Sequence, residues 1–196
     1  LLVKMPFFPF HLWLVEAHVE ALTGGSVILA AIMLKVGIYG LYQFVFTFFV
    51  DVLEPVFGLI FPPICFVGTI WSAILLFQQQ DLKRFVAYSS VLHMNQLGIV
   101  MFFSPHQVFY TAFLLSISHG LTSAALFFIV GSIYDRYGTR NIFELTGMLR
   151  SQPDLAFLLC VSLLADAGIP VSLSFVSELI LGVTLSREAR WLMFFS

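Results

Sequence analysis

The sequence predicts an all-α protein, a polytopic transmembrane helix bundle with two discontinuous helices. Hydrophobic residues make up 60% of the 196 residues and charged residues only 10%, and the mean hydropathy is +0.99. These values are far from those of a soluble domain. Uncharged intervals reach the ~20 residues that cross a hydrocarbon core, and proline or glycine interrupts two apolar segments. A single transmembrane domain over residues 1–196 accounts for the whole chain.

Charged residues divide the chain into apolar intervals, and each interval predicts one or two spans. Between positions 20 and 51 the only charged residue is Lys35. Ser104-Pro105-His106 divides a longer uncharged interval in two. The predicted spans cover residues 24–49, 55–80, 85–103, 106–133 and 155–183. A charged loop with a short surface helix over 141–149 is expected before the last span, and residues 191–195 are expected to begin another.

Helix-breaking residues identify the two discontinuous elements. Pro6 and Pro9 follow a start that resembles the tail of a helix already under way, and Gly168 and Pro170 interrupt the last predicted span. A bilayer tolerates a broken span only where protein or a water-filled cavity satisfies the freed backbone groups, so such breaks often mark ion sites in transporters. A simple kink is the alternative interpretation of each break taken alone.

Four ionisable residues, Lys35, His93, His119 and Glu178, fall within these apolar stretches. A charge at the centre of a bilayer costs roughly 2.5 to 3.5 kcal/mol on insertion scales, so such residues usually face a bundle interior and mark a path. Lys35 lies too deep to extend its amine to either interface, and histidine changes its protonation state near neutral pH. The alternatives are a hydrogen-bonded structural acid at Glu178 and structural histidines.

Other polar residues receive less demanding interpretations. His11 and His18 are expected to form local hydrogen bonds. Asp166, just before the second break, either joins a hydrated path or caps the broken helix, and the cap is favoured. Cys65 and Cys160 lack metal-ligand spacing and are expected to be small buried hydrophobes, so neither a disulfide nor a metal site is predicted. The net charge of -2 includes no basic patch, which excludes a nucleic-acid role.

Basic residues are distributed unequally between the two sides of the predicted bundle. Alternating the spans across the membrane places most basic residues on one side, which the positive-inside rule makes the cytoplasmic or matrix side. The basic residues of this side are Lys83, Arg84, Arg136, Arg140 and Arg150, and those of the other are Arg187 and Arg190.

Several long motifs, in a fixed order, carry a family resemblance over nearly the whole chain. They are Lys4-Met5-Pro6-Phe7-Phe8-Pro9-Phe10-His11-Leu12-Trp13-Leu14, Asp81-Leu82-Lys83-Arg84-Phe85-Val86-Ala87-Tyr88-Ser89-Ser90, Ile117-Ser118-His119-Gly120-Leu121-Thr122 and Gly168-Ile169-Pro170 with Glu178. The chain therefore resembles the subunit 4 family of NADH dehydrogenase (ubiquinone). These are antiporter-like proton-pumping subunits of respiratory complex I, related to subunits of multisubunit sodium/proton antiporters.

This resemblance implies which residues carry protons and which part of the fold is present. The family's central chain of ionisable residues matches Lys4, Lys35, His93, His119 and Glu178. The family has about fourteen spanning helices, and this chain resembles the second half, from one discontinuous helix to the next. In the family, the lysine that Lys4 matches pairs with an acid in the first half of the subunit. That half is missing here, so either a second polypeptide supplies the acid or this sequence is only a portion of the subunit. Asp166 is a carboxyl group added to the family pattern.

The resemblance also implies a function, partners and a location. It implies proton translocation in the membrane arm of NADH:ubiquinone oxidoreductase, with no redox chemistry in this chain. NADH, flavin, iron-sulfur clusters and ubiquinone would be bound by other subunits. The implied partners are the other membrane-arm subunits, any chain carrying the missing N-terminal helices, and lipids. The expected location is the mitochondrial inner membrane, or a bacterial plasma membrane. A cation/proton antiporter subunit is the alternative; a structural subunit with a decayed path is disfavoured because all five residues are retained.

Overall fold

The computed structural model describes residues 3–48, 50–103 and 109–194, without the side chains of 46, 50–59, 103, 109 and 187–194. The described residues form helices joined by turns, with a single isolated bridge between Asp81 and Asn141. The predicted all-α class is therefore correct. The helices are α1 (Leu12–Glu20), α2 (Thr23–Ile28), α3 (Leu34–Gly40), α4 (Val50–Phe77), α5 (Leu82–Phe103), α6 (Phe109–Tyr137), α7 (Met148–Ser151), α8 (Pro153–Asp166) and α9 (Leu173–Phe194).

Four helical segments of the described chain are long and apolar enough to cross a membrane. They are Thr23–Val45, Ile60–Phe77, Leu82–Phe102 and Tyr110–Tyr137, and the apolar Leu173–Ser186 is shorter. The four segments correspond to four of the five predicted spans, and the fifth, 155–183, is divided between α8 and α9. The proposed break at Ser104-Pro105-His106 lies outside the described residues. Leu82–Phe102 of α5 is the most buried of the four and forms the centre of the bundle, whereas Ile60–Phe77 of α4 is the least buried.

Three predicted boundaries were wrong. α6 continues through Asp135 and Arg136 to Tyr137 because its last turn is tied to the following loop, where Arg136 donates to the side chain of Gln152. The surface helix predicted over 141–149 is mostly turns, and only Met148–Ser151 is helical. Residues 191–194 continue α9 rather than beginning another span.

The helical run that follows Thr23 contains two π-helical turns, Leu29–Met33 and Leu41–Phe46. Together with α2 and α3 they form one continuous span across the membrane. A π turn adds a residue to the helix and disturbs its hydrogen-bond ladder, and such turns are frequent at functional sites. The first of them ends two residues before Lys35.

The first break is held in the bundle by side chains from other helices. Residues 3–11 form turns rather than helix, and the backbone N–H of Phe8 donates to Oδ1 of the buried Asn95 at 3.3 Å. The Phe7 ring lies directly over Gly98, where a Cβ atom would overlap it. Protein side chains thus satisfy and fill the interrupted segment, as a membrane interior requires.

The second break separates α8 from α9. Gly168 adopts a φ of +74°, and the hydroxyl oxygen of Ser172 accepts the backbone N–H of Phe175 at 3.3 Å. Ser172 is therefore the N-cap of α9. The favoured interpretation of Asp166 as the cap was wrong because this residue is the last of α8 and its side chain turns into the bundle.

At one end of the bundle, basic side chains bind the C-terminal end of α1. Lys83 Nζ donates to the carbonyl oxygen of Ala21 at 2.5 Å, and Arg140 donates to that of Val19 at 3.2 Å. Arg140 also lies 3.9 Å from a carboxylate oxygen of Asp81. Positive side chains are favourable at the negative end of a helix dipole. Lys83 and Arg140 therefore share one side of the membrane, as the charge pattern predicts.

Two predictions about individual side chains need correction. His11 and His18 are buried, but their ring nitrogens make no hydrogen bond with a described residue. They stack instead on the rings of Phe8 and Phe127, with centroids 5.7 and 4.4 Å apart. Cys65 is buried as expected, whereas Cys160 is exposed in the isolated chain because it lies on the outer face of α8.

Candidate functional site

Four helices bring ionisable side chains together inside the bundle. His93 comes from α5, His119 from α6, Asp166 from the end of α8 and Glu178 from the second turn of α9. We call these four residues the central cluster. Three of them are sequence-predicted site residues, and Asp166 is the addition. The second break turns α8 and α9 so that Asp166 faces both histidines and Glu178 faces His93.

The His93 ring lies between the two carboxyl groups. Its Nε2 is 3.8 Å from Oδ1 of Asp166, and its Nδ1 is 3.8 Å from Oε1 of Glu178. The second imidazole approaches the same aspartate, with His119 Nδ1 at 3.6 Å from Oδ1. The centroids of the two rings are 4.9 Å apart. The groups therefore form a series in the order His119, Asp166, His93, Glu178.

These distances are a few tenths of an ångström longer than a direct hydrogen bond, whose upper limit is about 3.2 Å for N–H···O. A small side-chain rotation closes such a gap, and a bridging water serves the same purpose almost as well as direct contact. The arrangement is therefore suited to the stepwise transfer of protons between nitrogen and oxygen atoms.

Neighbouring hydroxyl groups orient the acids. Thr122 Oγ1, one turn after His119, donates to Oδ1 of Asp166 at 3.1 Å. One residue before His119, the hydroxyl of Ser118 forms a 3.2 Å hydrogen bond with that of Ser177, which precedes Glu178. Both bonds connect α6 to the elements on either side of the second break. The sequence contained no signal that singled out Thr122 or Ser177 for this role.

Glu178 is the most accessible member of the cluster, with 35% of its side chain exposed in the isolated chain. Its carboxyl group lies against Gly168, where a Cβ atom would come within 2.6 Å of Oε2. The left-handed backbone of Gly168 and the closeness of the carboxyl group both require glycine. Gly168, in the second break, thus leaves the space that the Glu178 carboxyl group occupies.

Lys35 approaches the cluster from the other side of α6. A Cβ atom on Gly120, the residue after His119, would lie 3.2 Å from Lys35 Cε and 3.6 Å from Nζ. The amine donates to the carbonyl oxygen of Ala30 in the first π turn at 2.5 Å. The partly buried lysine therefore packs closely beside the histidine-bearing turn. Sequence periodicity gave no indication of the π turn that supplies its acceptor.

A cavity of about 610 Å³ adjoins the lysine. Its lining includes Lys35, Ser116 and Gly120, with apolar contributions from Val36 and Leu121. Most of this lining is apolar, and apolar cavities tend to stay dry, so the amine lies at the edge of a mainly apolar space.

Lys4 lies apart from the other predicted residues. It is exposed in the turns of the first break and forms no ion pair with any residue that the structure describes. Its carbonyl carbon would be 3.5 Å from a Cβ atom on Gly37, so the segment that carries it crosses α3 near Lys35. Four of the five predicted residues therefore gather around α6, and the fifth faces outward on the neighbouring surface.

The transmembrane family described as NADH:quinone oxidoreductase/Mrp antiporter matches residues 1–196. The chain belongs to this family. It is 40% identical to NADH-ubiquinone oxidoreductase chain 4 of Acanthamoeba castellanii over 179 residues, which cover 91% of the chain and 36% of that protein. It is 36% identical to NADH-quinone oxidoreductase subunit M of Rhodobacter capsulatus over 194 residues, covering 99% of the chain and 38% of that protein.

A solved structure gives the same result for the fold. The chain is similar to a chain of respiratory complex I from Thermus thermophilus with bound NADH, with a TM-score of 0.86 and 26% identity over 97% of the chain and 41% of the other. The resemblance and antiporter-like membrane fold inferred from the motifs are thus confirmed. The chain spans less than half the length of these NADH:quinone oxidoreductase relatives.

Proposed function

We propose that this chain translocates protons across an energy-transducing membrane, as part of an antiporter-like subunit in the membrane arm of an NADH:ubiquinone oxidoreductase. The observation that carries the proposal is the placement of His93 between Glu178 and the group formed by Asp166 and His119. A buried series of titratable groups has little structural benefit at a bilayer centre, where ionisable residues are expensive and usually functional.

The proposed route runs from Lys35 past His119 and His93 to Glu178. The Lys35 amine packs close to Gly120, so a short step would connect it to the turn that carries His119. At His93 a proton enters on one ring nitrogen and leaves from the other, because the two nitrogens face different acids. Imidazole suits this role because its neutral form has one donor and one acceptor nitrogen.

Lys4 would control this route through charge. It lies on the surface next to the helix that carries Lys35, where an acid from the N-terminal half of the subunit would reach it. A nearby carboxylate favours the protonated lysine, and separation of the pair disfavours it. Making and breaking that ion pair would therefore change the electrostatic potential at Lys35 and drive protons along the series.

The proposed context follows from the relatives. This chain would represent the second half of a subunit of about fourteen helices, located in the mitochondrial inner membrane. NADH, flavin, iron-sulfur clusters and ubiquinone would be bound by other subunits of the complex, and the partners would be the neighbouring membrane-arm subunits. A bacterial plasma membrane is the alternative location.

A cation/proton antiporter subunit remains the second candidate because the family description covers both kinds of protein. Relatives at about 40% identity are named NADH-ubiquinone oxidoreductase chain 4, which favours the first candidate. Purification under mild conditions separates the two. Co-purification with flavin and iron-sulfur subunits supports the oxidoreductase, whereas an assembly of antiporter subunits alone contradicts it.

The substitution Lys35→Met tests the proton route. In the intact complex reconstituted into vesicles, we expect proton uptake per electron to fall while assembly is retained, since methionine fills the same space without a charge. The readout is a pH-sensitive dye measured against NADH oxidation. Lys35→Arg serves as the matched control, because it keeps the charge beside Gly120, and it should preserve more of the yield. A normal proton yield in the methionine variant would rule out the route.

A further inference from the structure

Three side chains of the central cluster have the atoms and the spacing of a transition-metal site. Nε2 of His93 and Nδ1 of His119 lie 3.8 and 3.6 Å from Oδ1 of Asp166, and the ligand atoms of all three residues fall within 4.8 Å of one another. Around a tetrahedral zinc ion with bonds of about 2.0 Å, neighbouring ligand atoms are about 3.3 Å apart. Movements of a few tenths of an ångström bring both contacts with Asp166 to that spacing, and the two imidazole nitrogens, which lie within 4.8 Å of each other, close by at most about 1.5 Å.

The two imidazoles themselves indicate a missing partner. His93 and His119 are 8% and 2% exposed, yet both nitrogens of His119 and Nδ1 of His93 make no hydrogen bond with a described residue. Buried polar atoms nearly always have a partner. His11 and His18 also lack hydrogen bonds, but they stack on phenylalanine rings and face no carboxylate in the part of the chain that the structure describes.

Groups around the three side chains are placed to form hydrogen bonds with the ligands of a bound metal. Metal-bound histidines usually direct their second nitrogen at a carboxylate or carbonyl oxygen, which fixes the ring and its tautomer. His93 directs Nε2 at Asp166 and Nδ1 at the Glu178 carboxylate, 3.8 Å away. Thr122 donates a 3.1 Å hydrogen bond to the oxygen of Asp166 that both histidines approach. Two of the three ligands, His93 and Asp166, would therefore be oriented by neighbouring groups.

We propose that His93, His119 and Asp166 form a binding site for a divalent transition-metal cation of the zinc class. Two imidazoles and one carboxylate form a donor set that suits zinc, and a water molecule would complete the tetrahedron. Metal binding requires neutral imidazoles and an ionised carboxyl group.

The proposed function gives this site a consequence, and this step rests on that function. A zinc ion coordinated by His93 Nε2 and His119 Nδ1 occupies the atoms that would otherwise accept and release protons. The cation also places positive charge in the centre of the route. Binding should therefore stop proton translocation without removing any residue of the path.

The site is tested by metal analysis of the intact complex containing this chain. The complex is treated with a chelator, incubated with Zn²⁺ alone and desalted, and its retained zinc is measured by mass spectrometry. We expect the wild type to retain an additional zinc ion that Asp166→Asn does not retain, with imidazole ligands visible by X-ray absorption. Asp154→Asn, at the exposed start of α8, is the matched control and should retain the same zinc as the wild type.

A second variant keeps the test decisive if Asp166→Asn fails to assemble. Thr122→Val removes the donor to Asp166 while keeping the side-chain shape, and loss of such an outer-shell bond typically weakens metal binding about 10- to 100-fold. Zinc retention equal to that of the wild type, in whichever of the two variants assembles, would overturn the site.

Proton translocation gives the separate readout for the consequence. We expect the zinc concentration that halves translocation, relative to the metal-free rate of the same variant, to rise at least about tenfold in Asp166→Asn. Zinc that binds in an Asp166-dependent manner without slowing translocation would support the site and contradict the proposed path through His93 and His119. Zinc inhibition that persists unchanged in Asp166→Asn contradicts the link between this site and inhibition.

Discussion

Gly168 determines where the Glu178 carboxyl group can lie. We expect Gly168→Ala to lower the proton yield several-fold, because a Cβ atom there would displace the Glu178 carboxyl group. Its positive φ adds roughly 1 to 2 kcal/mol of backbone strain for a residue with a side chain. Proton uptake per electron in reconstituted complex is the measurement. Gly182→Ala, in open space on α9, is the control and should behave as the wild type.

The carboxyl group of Glu178 is itself open to substitution. Glu178→Gln keeps the volume and removes the ionisable group next to His93 Nδ1, so we expect proton translocation to fall while the complex still assembles. Glu144→Gln, an exposed acid of the charged loop, should leave translocation unchanged. Equal proton yields from the two variants would contradict a role for Glu178 in the path.

The functional residues could be predicted from the sequence where their depth in the membrane alone determines their environment. Lys35, His93, His119 and Glu178 stand out because an ionisable group within an apolar run must face the bundle interior, and that argument needs no tertiary structure. The position of Asp166 depends on how α8 packs against α6 just before the second break, which local sequence does not encode. Its role as a cap was therefore mistaken, and its contact with both histidines became visible only in the fold.

Among the elements, the first break depends on one side chain of α5. Asn95 is fully buried, accepts the N–H of Phe8 and donates to the carbonyl oxygen of Val91 at 2.8 Å. We expect Asn95→Ala to destabilise the segment by about 1 to 3 kcal/mol, since a buried N–H loses its acceptor. Hydrogen–deuterium exchange of the backbone amides at residues 3–11 in the assembled complex is the measurement. Gln96→Ala, at the adjacent half-buried position, should leave this exchange unchanged.

The sequence predicted most of the helices and both breaks. It did not predict the π turns or the end of α6. Uncharged intervals of sufficient length predicted the spans, and proline or glycine predicted both breaks. The π turns at Leu29–Met33 and Leu41–Phe46 have no such signal because their residues are ordinary helix formers in a membrane. The end of α6 was placed too early because a charged last turn that is bonded to a loop reads as loop in the sequence.

At the scale of the whole molecule, the exposed Lys4 is the residue that we propose contacts the rest of the subunit. We expect Lys4→Met to lower the proton yield while the central cluster keeps its zinc, because Lys4 lies outside that cluster. Lys4→Arg should keep more of the yield, since it retains a charge for the proposed acid. The proton yield and the retained zinc of each variant are measured on the same preparation. A normal yield in the methionine variant would contradict a controlling role.

The central cluster is also the place where four helices meet, so its charge state should affect how these helices pack. α5, α6, α8 and α9 each contribute one of its groups, so a change of charge on any group alters the attraction between helices from separate parts of the fold. Buried charges left without a partner are costly. Each proton that arrives or leaves should therefore loosen or tighten the junction at the second break, and charge movement and helix movement become a single event.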